Sequence, residues 1–119
     1  MDIAFIIDPI ETLNFNKDSS VAMMLASQKR GHKIHVIHTP NIKLNNQQVV
    51  AKSSEVVVQE EAEQWYQIES SKTATLDVFD YVLVRKDPPV DTEYIYITYL
   101  LEIAEKNGAT VLNKPLAIR

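Results

Sequence analysis

Two short runs of apolar residues constrain the fold of this chain more than any other feature of its sequence. Residues 3–7 read IAFII and residues 81–84 read YVLV, and neither run alternates with polar residues. A strand with one face in water shows such alternation, whereas a strand buried on both faces does not. Strands of the second kind occur in parallel sheets that helices cover. The sequence therefore predicts an α/β protein with an open, mainly parallel sheet.

Two helical patterns connect the predicted strands, over residues 18–30 and 91–107. Asp18 and Asp91 are their N-cap candidates, because a short polar side chain can bond the free N–H groups of a first turn. Further strands are predicted at residues 32–38 and 109–113, so that strand, helix and strand alternate as in βαβ units. The apolar positions that would face the sheet have helical spacing: Val21, Met24, Leu25, Ile97, Leu100, Leu101 and Ala104.

The stretch from residue 40 to residue 75 lacks this order. Residues 42–52 favour a short hairpin with Asn45 and Asn46 near its tip. Residues 55–59 favour a short strand, residues 63–70 are ambiguous between strand and helix with strand preferred, and residues 70–75 read as a loop. We therefore expect an insertion of short pieces here rather than another βαβ unit.

Composition excludes several functions. The chain has only two glycines, Gly31 and Gly108, and each follows a helical pattern at the place of a left-handed C-terminal residue. None remains for a glycine-rich phosphate loop of the dinucleotide-binding or Walker type. Cysteine is absent, which removes disulfides, thiol catalysis and cysteine zinc sites. With a net charge of −4, nucleic acid is not an expected partner.

The N-terminal apolar run is too short for a signal peptide or a membrane span. We therefore expect a cytoplasmic protein without a membrane partner. His32, His35 and His38 raise the possibility of a metal site, but His35 and His38 differ by an odd number along a strand and should face opposite sides. No carboxylate stands among them at ligand spacing, so we predict no metal site.

Polar residues follow the predicted strands, and ligands of open α/β sheets bind at the carboxyl ends of the strands. Arg85 is the strongest candidate, because the preceding strand holds its stem and the prolines after it fix the chain direction. An ion pair with Asp8, Asp87 or Asp91 is the structural alternative. The residues that end the strands are Asp8, Pro9, Thr39, Pro40, Arg85, Lys86, Asp87, Asn113 and Lys114.

The helix start at Asp18, Ser19 and Ser20 offers hydroxyl groups and backbone N–H groups to an anion. A plain N-cap is the simpler interpretation, and the two roles are compatible. The aromatic residues could stack on a base or line an interface, although core packing or a subunit contact is favoured in an acidic chain. They are Trp65, Tyr66, Tyr94, Tyr96 and Tyr99.

Three motifs together resemble the N-terminal domain of bacterial glutathione synthetases: DPI at 8–10, KDSS at 17–20 and RKDPPVDTEY at 85–94. The resemblance covers essentially the whole chain and is weakest at residues 41–54 and 70–75. It implies a Rossmann-like pre-ATP-grasp fold for residues 1–119, followed in the family by an ATP-grasp portion that holds ATP and Mg²⁺. Such enzymes phosphorylate the carboxylate of γ-glutamylcysteine, and glycine then attacks the acyl phosphate.

The same resemblance implies roles for individual residues in binding γ-glutamylcysteine. Arg85 and the helix start at Asp18, Ser19 and Ser20 would hold this substrate, while Lys86 and Asp87 would shape the wall of its site. Asn113 and Lys114 would lie at a hinge or at the substrate's edge. No catalytic residue is expected within these 119 residues.

The family relation further implies a homo-oligomer and an isolated chain without ligase activity. A free-standing binding or assembly module with the same fold is the alternative function. The two differ in whether Arg85 is needed for substrate binding.

Overall fold

The computed structural model describes residues 1–61, 63–85 and 92–113, with the side chains of residues 92, 93 and 113 excepted. These residues form one six-stranded sheet and two helices, α1 (Ser19–Lys29) and α2 (Thr92–Lys106). Short 3₁₀ turns occupy Ile10–Thr12 and Leu76–Val78. The strands are β1 (Asp2–Ile7), β2 (Lys33–Asn45), β3 (Gln48–Val58), β4 (Tyr66–Thr75), β5 (Tyr81–Val84) and β6 (Val111–Asn113). Their spatial order is β4-β3-β2-β1-β5-β6.

The parallel part of the sheet agrees with the prediction from the sequence. Strand β1 pairs in parallel with β2 and with β5, and β5 pairs in parallel with β6. Phe5 of β1 packs in the cluster that contains α1, whereas its neighbours Ala4 and Ile6 pack in the cluster that contains α2. Strand β1 is therefore buried on both faces, which is why its sequence is continuously apolar.

The helices cover opposite faces of this sheet with the predicted residues. Val21 and Met24 of α1 are fully buried, and Leu25 is partly buried at the margin of the same cluster. The four predicted core positions of α2 are buried as well. Gly31 and Gly108 have φ angles of 88° and 108° just beyond the helix ends, as expected for left-handed C-terminal residues.

The middle of the chain is more regular than predicted. The predicted hairpin is present, but its arms belong to longer strands. Strand β2 does not stop at residue 38 but runs to Asn45, and β3 joins the second arm of the hairpin to the predicted short strand. The predicted loop at 70–75 is wrong, because these residues belong to β4 and pair along β3. Ladder hydrogen bonds to a neighbouring strand stabilise the extended backbone there, and local sequence carries little of that information.

A bulge in β2 separates its two parts. Ile37 pairs with Ser53 and Ile42 pairs with Ala51, so β2 has three more residues than β3 between these pairs. An odd number of extra residues changes the face to which later side chains point. Ile42 accordingly packs on the α2 side of the sheet, whereas Val36 lies on the α1 side.

Gln28 fastens α1 to the antiparallel part of the sheet. Its Nε2 donates to the Val58 carbonyl at 2.6 Å, and the Val58 N–H donates to its Oε1 at 2.8 Å. The side-chain amide thus bonds β3 as a neighbouring strand would. Lys29 adds an exposed ion pair with Glu60 at 2.7 Å. In the described part of the chain, no helix is both long and apolar enough to cross a membrane.

Candidate functional site

The carboxyl ends of the parallel strands meet at one edge of the sheet, as the sequence predicts. Ile7 at the end of β1 lies beside His38 of β2, and Ile6 lies beside Val84 of β5. Val84 lies in turn beside Asn113, the last residue of β6. Arg85 directly follows β5 at this edge, and its backbone N–H donates to the Ile6 carbonyl at 2.8 Å.

The Arg85 side chain reaches from β5 to the start of α1. Its Nη2 donates a hydrogen bond to Ser19 Oγ at 2.5 Å. Its Nε is buried and has no hydrogen-bond partner among the described residues. The two parts of the chain that the sequence singled out for anion binding are therefore in direct contact.

The charge of this guanidinium is not neutralised by any described carboxylate. The two ion pairs between described residues join other groups, and Asp8, one of the three acids considered as a structural partner, does not pair with Arg85. Asp87 and Asp91 lie outside the described residues. A guanidinium with remaining N–H donors can bind a carboxylate or a phosphate through two parallel hydrogen bonds.

The start of α1 differs in detail from a standard cap. Asp18 stands at the N-cap position, but its side chain makes no capping hydrogen bond. Its Oδ2 instead accepts from the Asn14 N–H at 2.8 Å, which closes the turn that precedes the helix. Ser19 is exposed at this edge, whereas Ser20 is only 5% exposed. Ser19 is therefore the more accessible of the two hydroxyls.

The remaining predicted site residues are only partly within the described chain. Asn113 is placed by its backbone, since its pairing with Val84 puts it at the same edge as Arg85. Lys86, Asp87 and Lys114 lie outside the described residues, so their roles stay predictions.

The histidines of β2 serve separate partners. His35 is buried and bonds Asp2 Oδ1 through Nε2 at 2.9 Å. This hydrogen bond lowers the pKa of the Asp2 carboxyl, an effect that burial partly opposes. His38 Nε2 instead accepts from the Ile10 N–H at 3.3 Å. Within residues 1–61, 63–85 and 92–113 there is no group of three potential metal ligands.

The role of His38 was missed by sequence reasoning, which considered the histidines only as metal ligands. The available signal was its place at the carboxyl end of a predicted strand, beside the DPI motif that follows β1.

The aromatic residues fall into a buried group and an exposed group. Trp65 packs in the core against Phe15 and Tyr66, whereas Tyr96 and Tyr99 are 55% and 64% exposed on α2.

Comparison with known proteins gives a family match over the whole chain. The family model described as "Prokaryotic glutathione synthetase, N-terminal domain" matches residues 1–119. A glutathione synthetase of Vibrio parahaemolyticus is 44% identical over 117 residues, and one of Escherichia coli O127:H6 is 38% identical over 117 residues. A glutathione synthetase of Buchnera aphidicola is 39% identical over 119 residues. The matches cover 98% to 100% of this chain and 37% of each relative, so the chain spans little more than a third of their length.

Proposed function

Because the chain belongs to the prokaryotic glutathione synthetase family, as its N-terminal domain, we propose that it forms part of the site that binds γ-glutamylcysteine. The reaction proposed for the whole protein is the ATP-dependent ligation of this dipeptide to glycine through an acyl phosphate. In this proposal, residues 1–119 hold and orient one of the substrates. Orientation of a bound reactant lowers the entropic part of a reaction barrier.

The contact between Arg85 and Ser19 is the observation that supports this proposal. The substrate carries two carboxylates and an ammonium group, and a partly buried guanidinium with open donors suits one of the carboxylates. The Ser19 hydroxyl, fixed at 2.5 Å from Nη2, orients the guanidinium and lies beside the positive end of α1. Both groups stand at the sheet edge where ligands of such folds bind.

The described residues offer neither a glycine-rich phosphate loop nor a cluster of potential metal ligands. Both glycines follow helix ends with positive φ angles, and no group of three His, Cys, Asp or Glu side chains that could hold a metal ion occurs among the described residues. We therefore assign ATP and Mg²⁺ to the part of the protein that corresponds to the remaining length of the relatives. The 119-residue chain by itself should then form no glutathione, and an assay of ATP-dependent glutathione formation with this chain tests that expectation.

Cytoplasmic location and homo-oligomer formation are further parts of the proposal. The second is supported by an apolar stripe on α2, where Ile95, Tyr96 and Tyr99 are 52%, 55% and 64% exposed. An exposed patch of this kind suits contact with another protein surface. The same stripe is what favours the alternative function, a free-standing assembly module that binds no dipeptide.

Titration calorimetry with γ-glutamylcysteine separates the two functions. Using the full-length protein that carries this chain, we expect Arg85→Ala to weaken binding by about 10- to 100-fold, the usual effect of losing hydrogen bonds to a charged group. Arg85→Lys should recover only part of the affinity, because an ammonium lacks the planar fork. Arg30→Ala is the matched control, since Arg30 is an exposed arginine at the other end of α1. Identical weak signals from all four proteins would favour the assembly module instead.

A further inference from the structure

The segment between β1 and α1 leads from the end of β1 to Ser19 at the start of the helix. It begins with the 3₁₀ turn Ile10–Thr12, in which the Thr12 N–H donates to the Pro9 carbonyl at 2.8 Å and the Thr12 hydroxyl donates to the same oxygen at 2.6 Å. It ends with the Asn14–Asp18 turn, closed at 2.8 Å by the Asp18 carboxylate. These hydrogen bonds are internal to the segment, so they give it a shape without fixing it to the sheet.

His38 supplies a polar link from the sheet to this segment. Its Nε2 accepts the Ile10 N–H at 3.3 Å, so a side chain of β2 bonds the first residue of the turn. Apolar packing adds to the attachment, because Ile10 is 2% exposed and Leu13 and Phe15 pack against the same cluster. Packing permits sliding and rotation, whereas a hydrogen bond fixes the orientation of the turn.

The pairing of β2 with β1 brings a histidine beside the turn. His38 is the last residue of β2 that pairs with β1, opposite Ile7. Strand β1 ends at Ile7, and the register shift between β2 and β3 lies between Ile37 and Ile42. His38 consequently stands at the end of the parallel pairing, next to the residues that continue β1 into the turn.

The link depends on the protonation state of the imidazole. Nε2 can accept a hydrogen bond only when its own proton is absent, so the ring must be the neutral tautomer with the proton on Nδ1. When Nε2 carries a proton, it faces the Ile10 N–H as a second donor, and the hydrogen bond is lost. His38 lines an open groove of about 220 Å³, through which solvent protons reach the ring. The titratable groups that face it across this groove are Glu11 of the turn and Lys52 of β3.

We propose that His38 is a positioning residue, whose neutral imidazole fixes the Ile10–Thr12 turn and, through it, the start of α1 with Ser19. In this role it touches no substrate but holds in place the hydroxyl that orients Arg85. Protonation of the ring releases the turn. The consequence for dipeptide affinity rests on the proposed function, whereas the effect on the turn does not.

Hydrogen–deuterium exchange of the full-length protein tests the link without a ligand. At pH 8 we expect peptides that cover residues 9–13 and 19–22 to exchange about fivefold faster in His38→Leu than in wild type, as befits one lost hydrogen bond. His38→Gln should stay close to wild type, because its side-chain oxygen can accept the same N–H. Peptides from β5 and α2 are the internal control for an intact fold. Unchanged exchange at either site in His38→Leu overturns the proposal.

The pH dependence separates positioning from simple packing. With rates normalised to the intrinsic exchange at each pH, protonation of the ring should reduce the protection of residues 9–13 in wild type as the pH is lowered, because a protonated Nε2 cannot accept the Ile10 N–H. His38→Gln should show no such loss, since an amide does not titrate there. The same pH profile in wild type and in His38→Gln contradicts the proposal. This comparison decides the question even if His38→Leu does not fold.

Calorimetry with γ-glutamylcysteine adds the functional consequence. We expect affinity to fall severalfold in His38→Leu and to recover in His38→Gln. If wild type binds no dipeptide at all, the proposed function fails while the exchange experiments still decide the role of His38. If the turn loosens in His38→Leu and affinity is unchanged, the connection from His38 to the substrate is wrong.

Discussion

The parallel and antiparallel halves of the sheet differ in where the ends of their strands lie. In the parallel half, β1, β2 and β5 run in one direction, so Arg85 after β5, the turn after β1 and His38, which pairs with the last residue of β1, lie at a single edge. In the antiparallel half, β3 and β4 alternate in direction, and their ends fall at both edges. Strand β1 has five buried residues, whereas none of the ten residues of β4 is buried. The parallel half thus combines a rigid core with a site, while the antiparallel half enlarges the sheet.

The largest expected difference between the halves is in core stability. Phe5 is fully buried in β1 and Ile68 is 52% exposed on β4. Phe5→Ala should lower the free energy of unfolding by about 4 kcal/mol, from lost apolar burial and the cavity left behind. Ile68→Ala should change it by no more than about 0.5 kcal/mol. Urea unfolding of both variants measures this, and similar losses would remove the distinction between the halves.

A smaller difference should appear in acid. Asp2 of the parallel half bonds buried His35, and this bond lowers the pKa of Asp2 below 3.8. A carboxyl with a lowered pKa stabilises the fold above its unfolded-state value, and that contribution is lost as pH falls through the lower folded-state value. Because the Asp2 side chain is 46% exposed, the effect should stay under about 1 kcal/mol.

The matched control is Glu60, which pairs with Lys29 and whose pKa is also lowered by that hydrogen bond. Both of these side chains are exposed, so solvent and salt screen the pair. Asp2→Asn should flatten the dependence of the unfolding free energy on pH below about pH 4, whereas Glu60→Gln should change the curve less, because its ion pair is screened by solvent. Unfolding curves recorded from neutral to acidic pH compare the two, and an equal response contradicts the assignment to His35.

The smallest expected effect is a gain in stability at the tip of the antiparallel half. Asn46 and Gln47 connect β2 to β3 with φ angles of 50° and 67°, a left-handed turn in which glycine is preferred at the second position. Gln47→Gly should raise the free energy of unfolding by about 0.5 kcal/mol, since relief of strain exceeds the added chain entropy. Gln48→Gly, one position later within β3, should instead destabilise. If urea unfolding shows that both variants lose stability, the turn is unstrained.

Sequence reasoning succeeded where a residue's role follows from its immediate neighbours. The continuous apolar runs predicted the buried strands, the helical stripes predicted which side chains of α1 and α2 face the sheet, and the two glycines predicted the helix ends. It failed at residues 70–75, because the seven consecutive exposed positions of β4, residues 67–73, carry no alternation that identifies a strand. Pairing with β3 makes that segment extended.

The candidate site divides in the same way. Arg85 and Ser19 were each identified from their own surroundings, at a strand end and at a helix start. Their hydrogen bond joins residues 66 positions apart, and it exists because parallel strands return the chain to the same edge. His38 was recognisable only as a residue near a strand end, since its partner at Ile10 is brought near by the pairing of β1 with β2.

The amino-acid sequence by itself determined the α/β class, the strands buried on both faces, the helix ends and the absence of a glycine-rich phosphate loop, because these depend on local patterning and composition. The tertiary structure decided the length of the antiparallel strands, the contact between Arg85 and Ser19 and the link from His38 to the turn. The physical reason is that backbone pairing and side-chain hydrogen bonds between distant segments depend on register and topology, which no local stretch of the chain encodes.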